Sequence, residues 1–179
     1  MATTTKLITI SDFENYRDIT SNLEEERMNP YILEAQRFEL RSFLGDALYR
    51  ELLEAWAESP IESKWDNLVS GCSYENSAGD TIYYHGIIPV IVYYSYARFV
   101  LAQVVNVTRF GVVKKLNEHS EQIDDKSLNM VYTRAVEAGD AYLREVELYL
   151  DENYADFDNW GTGEKKYKGK VTITKVNKV

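Results

Sequence analysis

Apolar residues recur at helical spacing through most of this chain and at strand spacing in only a few short runs. From about Leu23 to Phe43, the residues Met28, Tyr31, Ile32, Ala35 and Phe38 fall on one face of a helix. Pro30 interrupts that stretch: either Asn29 caps a fresh helix with Pro30 in its first turn, or the helix bends there. Gly45 and Asp46 mark a turn and a restart, after which Leu48, Leu52, Ala55 and Trp56 form the stripe of a helix ending near Glu58. From Gly86 and Pro89 to about Asn106 the chain is apolar almost all round, as in a helix at the middle of its domain. The last helix spans about Lys126 to Asn153, roughly 40 Å at 1.5 Å per residue. Its stripe is Leu128, Val131, Tyr132, Ala135, Gly139, Tyr142, Val146 and Leu150. Gly139, flanked by Ala135 and Ala138, predicts close approach of a neighbouring helix.

Local signals set the boundaries. Lys6 to Ile10 reads as a short extended lead-in. Ser11 with Glu14 is a capping-box pattern opening a short helix to about Tyr16. Ser59-Pro60-Ile61-Glu62 is a second such pattern, with proline at the favoured first position, opening a helix through Leu68 that Gly71 ends. Between Cys72 and Tyr84 two short β-prone runs flank a turn-rich centre, which predicts a hairpin. Arg109 to Lys115, split by Gly111, reads as irregular or weakly extended, and Glu118 to Asp125 as a polar loop. Asp156 to Gly163 reads as a polar linker, followed by the alternating run Val171-Thr172-Ile173-Thr174-Lys175-Val176. The expected fold is mainly α. It is a bundle of about five helices with a small β-hairpin at about 72–84 and a C-terminal extended basic strand. Residues 1–155 form the helical domain, and residues 156–179 form the linker and arm.

Charge separates the same two parts. The last sixteen residues hold six lysines and one acid, which splits the formal net charge of −9 into +5 on the tail and −14 on the preceding 163 residues. Val171, Ile173, Val176 and Val179 with interleaved threonines are an odd composition for a disordered tether. An unpaired β-prone strand is also an aggregation hazard unless something covers it. The tail is therefore expected to pair, either with its own Leu7-Ile-Thr-Ile10 or with another subunit. The docking residues expected are Lys165, Lys166, Tyr167, Lys168, Lys170, Val171, Ile173, Lys175 and Val176.

Candidate chemistry is sparse. Cys72 is the single cysteine, so no internal disulfide forms, and a reducing compartment fits. No basic stretch followed by an apolar run marks the N-terminus as a secretion signal. The apolar stretch Ile87–Val107 contains Arg98, Gln103 and three tyrosines, which fits a buried protein helix rather than a bilayer span. His85 and His119 stand alone, so zinc has no site by sequence. Asp156-Phe-Asp158-Asn-Trp160-Gly161 imitates the start of a calcium loop but fails at its fifth position, Trp160, and its twelfth, Tyr167. No catalytic residue, cofactor or metal ligand is expected, and no enzyme activity. Fourteen tyrosines against six phenylalanines suit interfaces as well as cores.

Two blocks of sequence carry a family likeness. The first is Tyr31-Ile-Leu-Glu-Ala-Gln-Arg-Phe-Glu-Leu-Arg-Ser-Phe-Leu-Gly-Asp-Ala-Leu-Tyr49, preceded by Tyr16-Arg-Asp-Ile19. The second is Tyr83-Tyr-His-Gly-Ile-Ile-Pro-Val-Ile-Val-Tyr-Tyr-Ser-Tyr-Ala-Arg-Phe99, followed by Thr108-Arg-Phe-Gly-Val112. Over about residues 7 to 153 their order and content resemble proteins of tailed phages and prophages of Bacteroidetes-type hosts, including crAss-like phages. Those proteins look like helical head-to-tail connector (adaptor) proteins. Pro30 and the lysine-rich tail are not part of that likeness. The resemblance implies a structural virion protein at the neck, made in the bacterial host cytoplasm. It further implies a homo-oligomeric ring of twelve copies beneath the portal protein, touching further tail or ring proteins. DNA would pass through its channel without specific binding, and no membrane would be involved. An alternative is a nucleic-acid-binding accessory protein whose basic tail grips phosphate while Tyr167 stacks a base. The acidity of the body and the absence of arginine in the tail weigh against it.

Overall fold

The computed structural model describes residues 5–17, 24–103, 105–108, 111–114 and 124–161. Helices carry most of this, as the periodicity predicts. The order is α1 (Glu25–Ala35), a π turn (Gln36–Leu40), α2 (Arg41–Leu44), α3 (Asp46–Trp56), α4 (Ser63–Ser70), β1 (Cys72–Glu75), β2 (Thr81–Tyr84), α5 (Ile88–Gln103), β3 (Val105–Thr108), β4 (Gly111–Lys114) and α6 (Asp125–Glu152). No helix among the described residues is long and apolar enough to cross a membrane.

α5 is the central element. Pro89, Val90, Ile91, Val92, Tyr94, Ser95 and Ala97 are all buried, which an all-round apolar helix requires, and both α1 and α6 pack against it. The α5–α6 contact is close because position 139 lacks a side chain: a Cβ there would lie 3.1–3.2 Å from ring atoms of Tyr94. α6 keeps the expected span and buries Leu128, Ala135, Gly139, Val146 and Leu150. It also buries Leu143 and Tyr149, which the sequence stripe omitted. Asp124 caps it by accepting from the backbone N–H of Lys126 and Ser127, each at 2.9 Å.

The first long helix departs from a regular reading. It runs on through Pro30, which sits inside α1 with neither a fresh cap nor a restart, and then widens into the π turn. The extra residue in that turn shifts the buried face by one position. Met28, Ile32 and Ala35 remain in the core, but Gln36, Leu40 and Leu44 follow them inward, and Phe38 is turned out to 51% exposure. Gln36 is fully buried and clamps the N-terminal segment: its Oε1 accepts from the Leu7 N–H at 2.9 Å and its Nε2 donates to the Thr5 carbonyl at 3.1 Å.

Several starts lie elsewhere than the capping patterns suggest. The N-terminal turn is a 3₁₀ helix, Ile10–Asn15, opened by Thr9, whose N–H donates to the Asp12 carboxylate at 2.7 Å. Ser11 and Glu14 do not form its cap. α4 begins at Ser63 with Glu62 as N-cap, so Ser59 and Pro60 lie outside it. It ends at Gly71 as expected, where φ is +91°. Gly71 and Gly86 also let two backbones touch, since a Cβ on Gly71 would meet the Tyr84 carbonyl oxygen at 2.5 Å and one on Gly86 would collide with that of Val69. β1 and β2 form the expected hairpin, paired antiparallel from Cys72↔Tyr84 to Glu75↔Thr81. A second hairpin, β3–β4, takes the place of the expected helix end at Asn106, and β4 agrees with the weakly extended reading for Gly111–Lys114, the described part of the Arg109–Lys115 stretch. In Val105-Asn-Val-Thr108 the β-branched alternation prevails over continuing α5.

Candidate interaction surface

The docking residues expected in the tail, Lys165, Lys166, Tyr167, Lys168, Lys170, Val171, Ile173, Lys175 and Val176, lie outside the described residues, as does His119. What the structure defines is the root from which that tail leaves. Phe157 is 2% exposed and meets Trp65 edge-on at 5.4 Å. Trp160 lies 5.4 Å from the Phe43 ring and donates its indole N–H to Asp151 at 2.7 Å, and Asn159 bonds to Glu51. Lys64 donates to the Asp156 carbonyl at 3.3 Å. Residues 157–160, which the sequence suggested as linker, are therefore packed on α2, α3, α4 and α6, just after the expected boundary at 155. The glycines and acids suggested a linker, while Phe157 and Trp160 supply the anchorage.

The β1–β2 hairpin sits beside this root. Tyr149 of α6 stacks on Tyr84 at 4.3 Å and meets Tyr74 edge-on at 5.3 Å, and the Tyr84 hydroxyl donates to the Leu68 carbonyl at 2.9 Å. Burial pushes the Tyr84 and Tyr149 phenols well up from their ordinary range, so both stay neutral. Burial likewise raises the Cys72 thiol, which holds it in the unreactive protonated form. At the hairpin tip, Glu152 accepts from the Ser77 N–H at 3.0 Å and from its hydroxyl at 3.2 Å. The outward positions of the hairpin, Ser73, Glu75, Thr81 and Tyr83, are exposed, Tyr83 to 76%.

His85, which stands alone in sequence, has company in space. Its Nδ1 lies 2.8 Å from Glu145 and its ring meets Tyr142 edge-on at 5.5 Å. Tyr142 stacks with Tyr93 at 5.6 Å, Tyr16 meets both edge-on, and the Arg17 guanidinium lies 4.7 and 4.6 Å from the rings of Tyr93 and Tyr96. Burial, then the neighbouring Tyr142 and Asp12, raises the Tyr16 phenol. This aromatic cluster ties the N-terminal turn to α5 and α6. The i, i+3 pairs Tyr93/Tyr96 and Tyr142/Glu145 were its only sequence signal.

A second polar group joins α5 to the first helix. Arg98 bonds to Glu34 at 3.4 Å and to Glu39 at 2.5 Å, and it lies over the exposed Phe38 ring at 5.2 Å. Burial raises the Glu39 carboxyl against the pull of Arg98. An open recess of about 570 Å³ runs along α3 past Arg41, Asp46, Tyr49, Leu53 and Glu54. The Arg41–Asp46 pair at 2.8 Å holds the Asp46 carboxyl below its usual range. Among the described residues no group of three or more His, Cys, Asp or Glu side chains is placed to hold a metal ion.

Large apolar side chains are instead displayed outward: Phe38, Tyr83, Leu101, Met130, Leu148 and Tyr154. Met130 and Leu148 are eighteen residues apart, five full helical turns, so they mark the two ends of one exposed face of α6. Exposed aromatic and aliphatic side chains on a helical body are suited to contact between macromolecules. No curated protein and no solved structure matches the chain. A family model does match, over residues 40–169, which takes in α2 to α6 and the first four docking residues, Lys165 to Lys168: the chain belongs to the family of unknown function DUF6712.

Proposed function

We propose that this chain is a structural virion protein, a subunit of the head-to-tail connector (adaptor) ring that docks under a portal and extends the DNA channel toward the tail. The observation that carries the reading is the division of charge between an acidic helical body and a lysine-rich, β-prone tail. That tail leaves from a root held by Phe157 and Trp160. A closed ring needs a heterologous interface, in which one face of each copy fits a different face of its neighbour. Acidic bodies side by side repel, and a basic arm reaching across offsets that repulsion. The outward Tyr83, Leu148 and Met130 supply apolar contact area for the same purpose. An acidic surface facing the channel keeps DNA mobile, because DNA affinity rests on cationic contacts to phosphate. The likeness of the Tyr31–Tyr49 and Tyr83–Phe99 blocks to connector proteins supports the same assignment, with twelve copies in the ring. On this reading the protein is not an enzyme, needs no cofactor, and works in the virion neck after synthesis in the host cytoplasm.

Removal of residues 163–179 tests it. The expected product is a folded monomer that no longer forms rings or binds the portal. Unchanged assembly by mass photometry would remove the tail from the mechanism. Retention of double-stranded DNA by the intact protein, weakening steeply with salt, would favour the nucleic-acid-binding alternative.

A further inference from the structure

The β1–β2 hairpin has two strands and therefore two edges. The Asn76 N–H donates to the Asp80 carbonyl, which makes 76/80 a hydrogen-bonded pair. By the alternation of an antiparallel ladder, 74/82 and 72/84 are also hydrogen-bonded pairs. The N–H and C=O groups of Thr81 and Tyr83 consequently point away from β1, along the free edge of β2. Both residues are exposed, and among the described residues those groups have no backbone partner.

The surroundings of this edge are mainly acidic, with Lys64 bonded to the Asp156 carbonyl as a neighbouring cation. Residues 72–84 and 145–158 together hold eight carboxylates and no lysine or arginine. The chain leaves the body nearby: Trp160 is fixed to Asp151, and the hairpin tip is fixed to Glu152, the next residue of α6. Val171 is ten residue steps beyond Gly161, a reach of up to about 35 Å. The alternative partner, Leu7–Ile10, has already committed the N–H groups of Leu7 and Thr9, to Gln36 and Asp12.

We infer that in the free subunit the chain's own segment Val171–Val176 adds to β2 as a third strand beside Tyr83. That pairing brings Lys175, and Lys170 and Lys178 on either side of the segment, toward the acids of the hairpin and of the α6 C-terminus. The same edge is emptied when the tail is handed to another protein. This goes beyond the ring assignment, because it concerns the unassembled chain. Attachment in the same chain is favoured over a second copy by the high effective concentration that a short connection gives.

The test uses the full chain with Cys72→Ser and Tyr83→Cys, combined in turn with Val171→Cys, Thr172→Cys, Ile173→Cys and Thr174→Cys. A mixture of isotopically light and heavy chains is mildly oxidised and the bridged peptides are read by mass spectrometry. The expected result is bridging within one chain at alternate tail positions, either 171 and 173 or 172 and 174. Bridges that join light to heavy peptides, equal bridging at all four positions, or none would overturn the inference. Because Tyr83→Cys removes a side chain of the edge itself, a second measurement keeps the native hairpin. Exchange of the Thr81 and Tyr83 amide protons should be at least 10-fold faster in the full-length Ile173→Pro chain than in the unmodified one. Equal rates would refute the third strand. Neither readout depends on ring formation, so failure here leaves the ring assignment standing, and failure of rings leaves these results unaffected.

Discussion

Gln36 is the only fully buried amide side chain among the described residues, and removing it should cost more than its surface position in a helical wheel suggests. In Gln36→Ala the Leu7 N–H, on a residue 4% exposed, loses its acceptor, and the half-buried Thr5 carbonyl loses its donor. A buried donor left without a partner costs about 1–3 kcal/mol. The Thr5 carbonyl can turn to water and costs less, while the space left by the side chain adds a cavity term. A total loss of about 2–4 kcal/mol follows. Urea unfolding followed by tryptophan fluorescence should register a fall in midpoint of about 1–2 M, for a slope typical of this size. Gln36→Glu sharpens the test. Its protonated carboxyl can still donate to Thr5, but its carboxylate cannot and is a buried charge. Burial raises such a group's folded pKa, so its stability is present below about pH 4 and is lost as pH rises through the folded value. Gln36→Glu should therefore weaken from pH 4 to pH 7 relative to the native chain. A change under about 0.5 kcal/mol in Gln36→Ala would refute the clamp, since surface substitutions fall in that range.

The α5–α6 contact gives a second prediction. Gly139→Val pushes a branched side chain into the Tyr94 ring, whose hydroxyl is held by Asp140, and should destabilise by about 1–3 kcal/mol despite glycine's poor helix propensity. Thermal unfolding by circular dichroism reads this, and an unchanged or raised midpoint would mean the helices can part freely. The third concerns alkaline pH. Tyr84 and Tyr149 have folded pKa values raised by burial, so their unfolded forms release protons first, near pH 10. Stability should hold below that and fall above it by about 1.4 kcal/mol per pH unit for each tyrosine fully shielded. Tyr84→Phe should lose about 1 kcal/mol at pH 7, with its hydrogen bond to Leu68, and show a shallower decline above pH 10 in urea midpoints.

The features legible in the sequence were those governed by regular spacing or by glycine. α5 and α6 stand where periodicity places them, Gly45 and Gly71 end their helices, and Gly139 admits Tyr94. The hairpin followed from turn residues between β-prone runs. The π turn was not legible, because a helical wheel assumes 3.6 residues per turn. One added residue sent Phe38 outward and drew Gln36 in, and only the contact with Leu7 and Thr5 explains why that is favourable. Capping patterns misled twice for a related reason. Ser11/Glu14 competes with Thr9/Asp12 two residues earlier, and Ser59/Glu62 competes with a start at Ser63 that lets Trp65, Leu68 and Val69 reach the core. Local chemistry permits each choice, and tertiary burial selects one. The candidate interaction surface was half legible. Charge marked the tail, but the aromatic root that fixes its origin and the cluster around Tyr93 and Tyr142 depend on contacts between residues far apart in the chain.

The connector assignment stands or falls most directly on assembly. Mass photometry and negative-stain images of the full-length protein, alone and mixed with a purified portal, measure it. The expected result is closed rings of about twelve copies of the 20.7 kDa chain, stacked on the portal and lost when residues 163–179 are removed. A protein that remains monomeric under both conditions would contradict it.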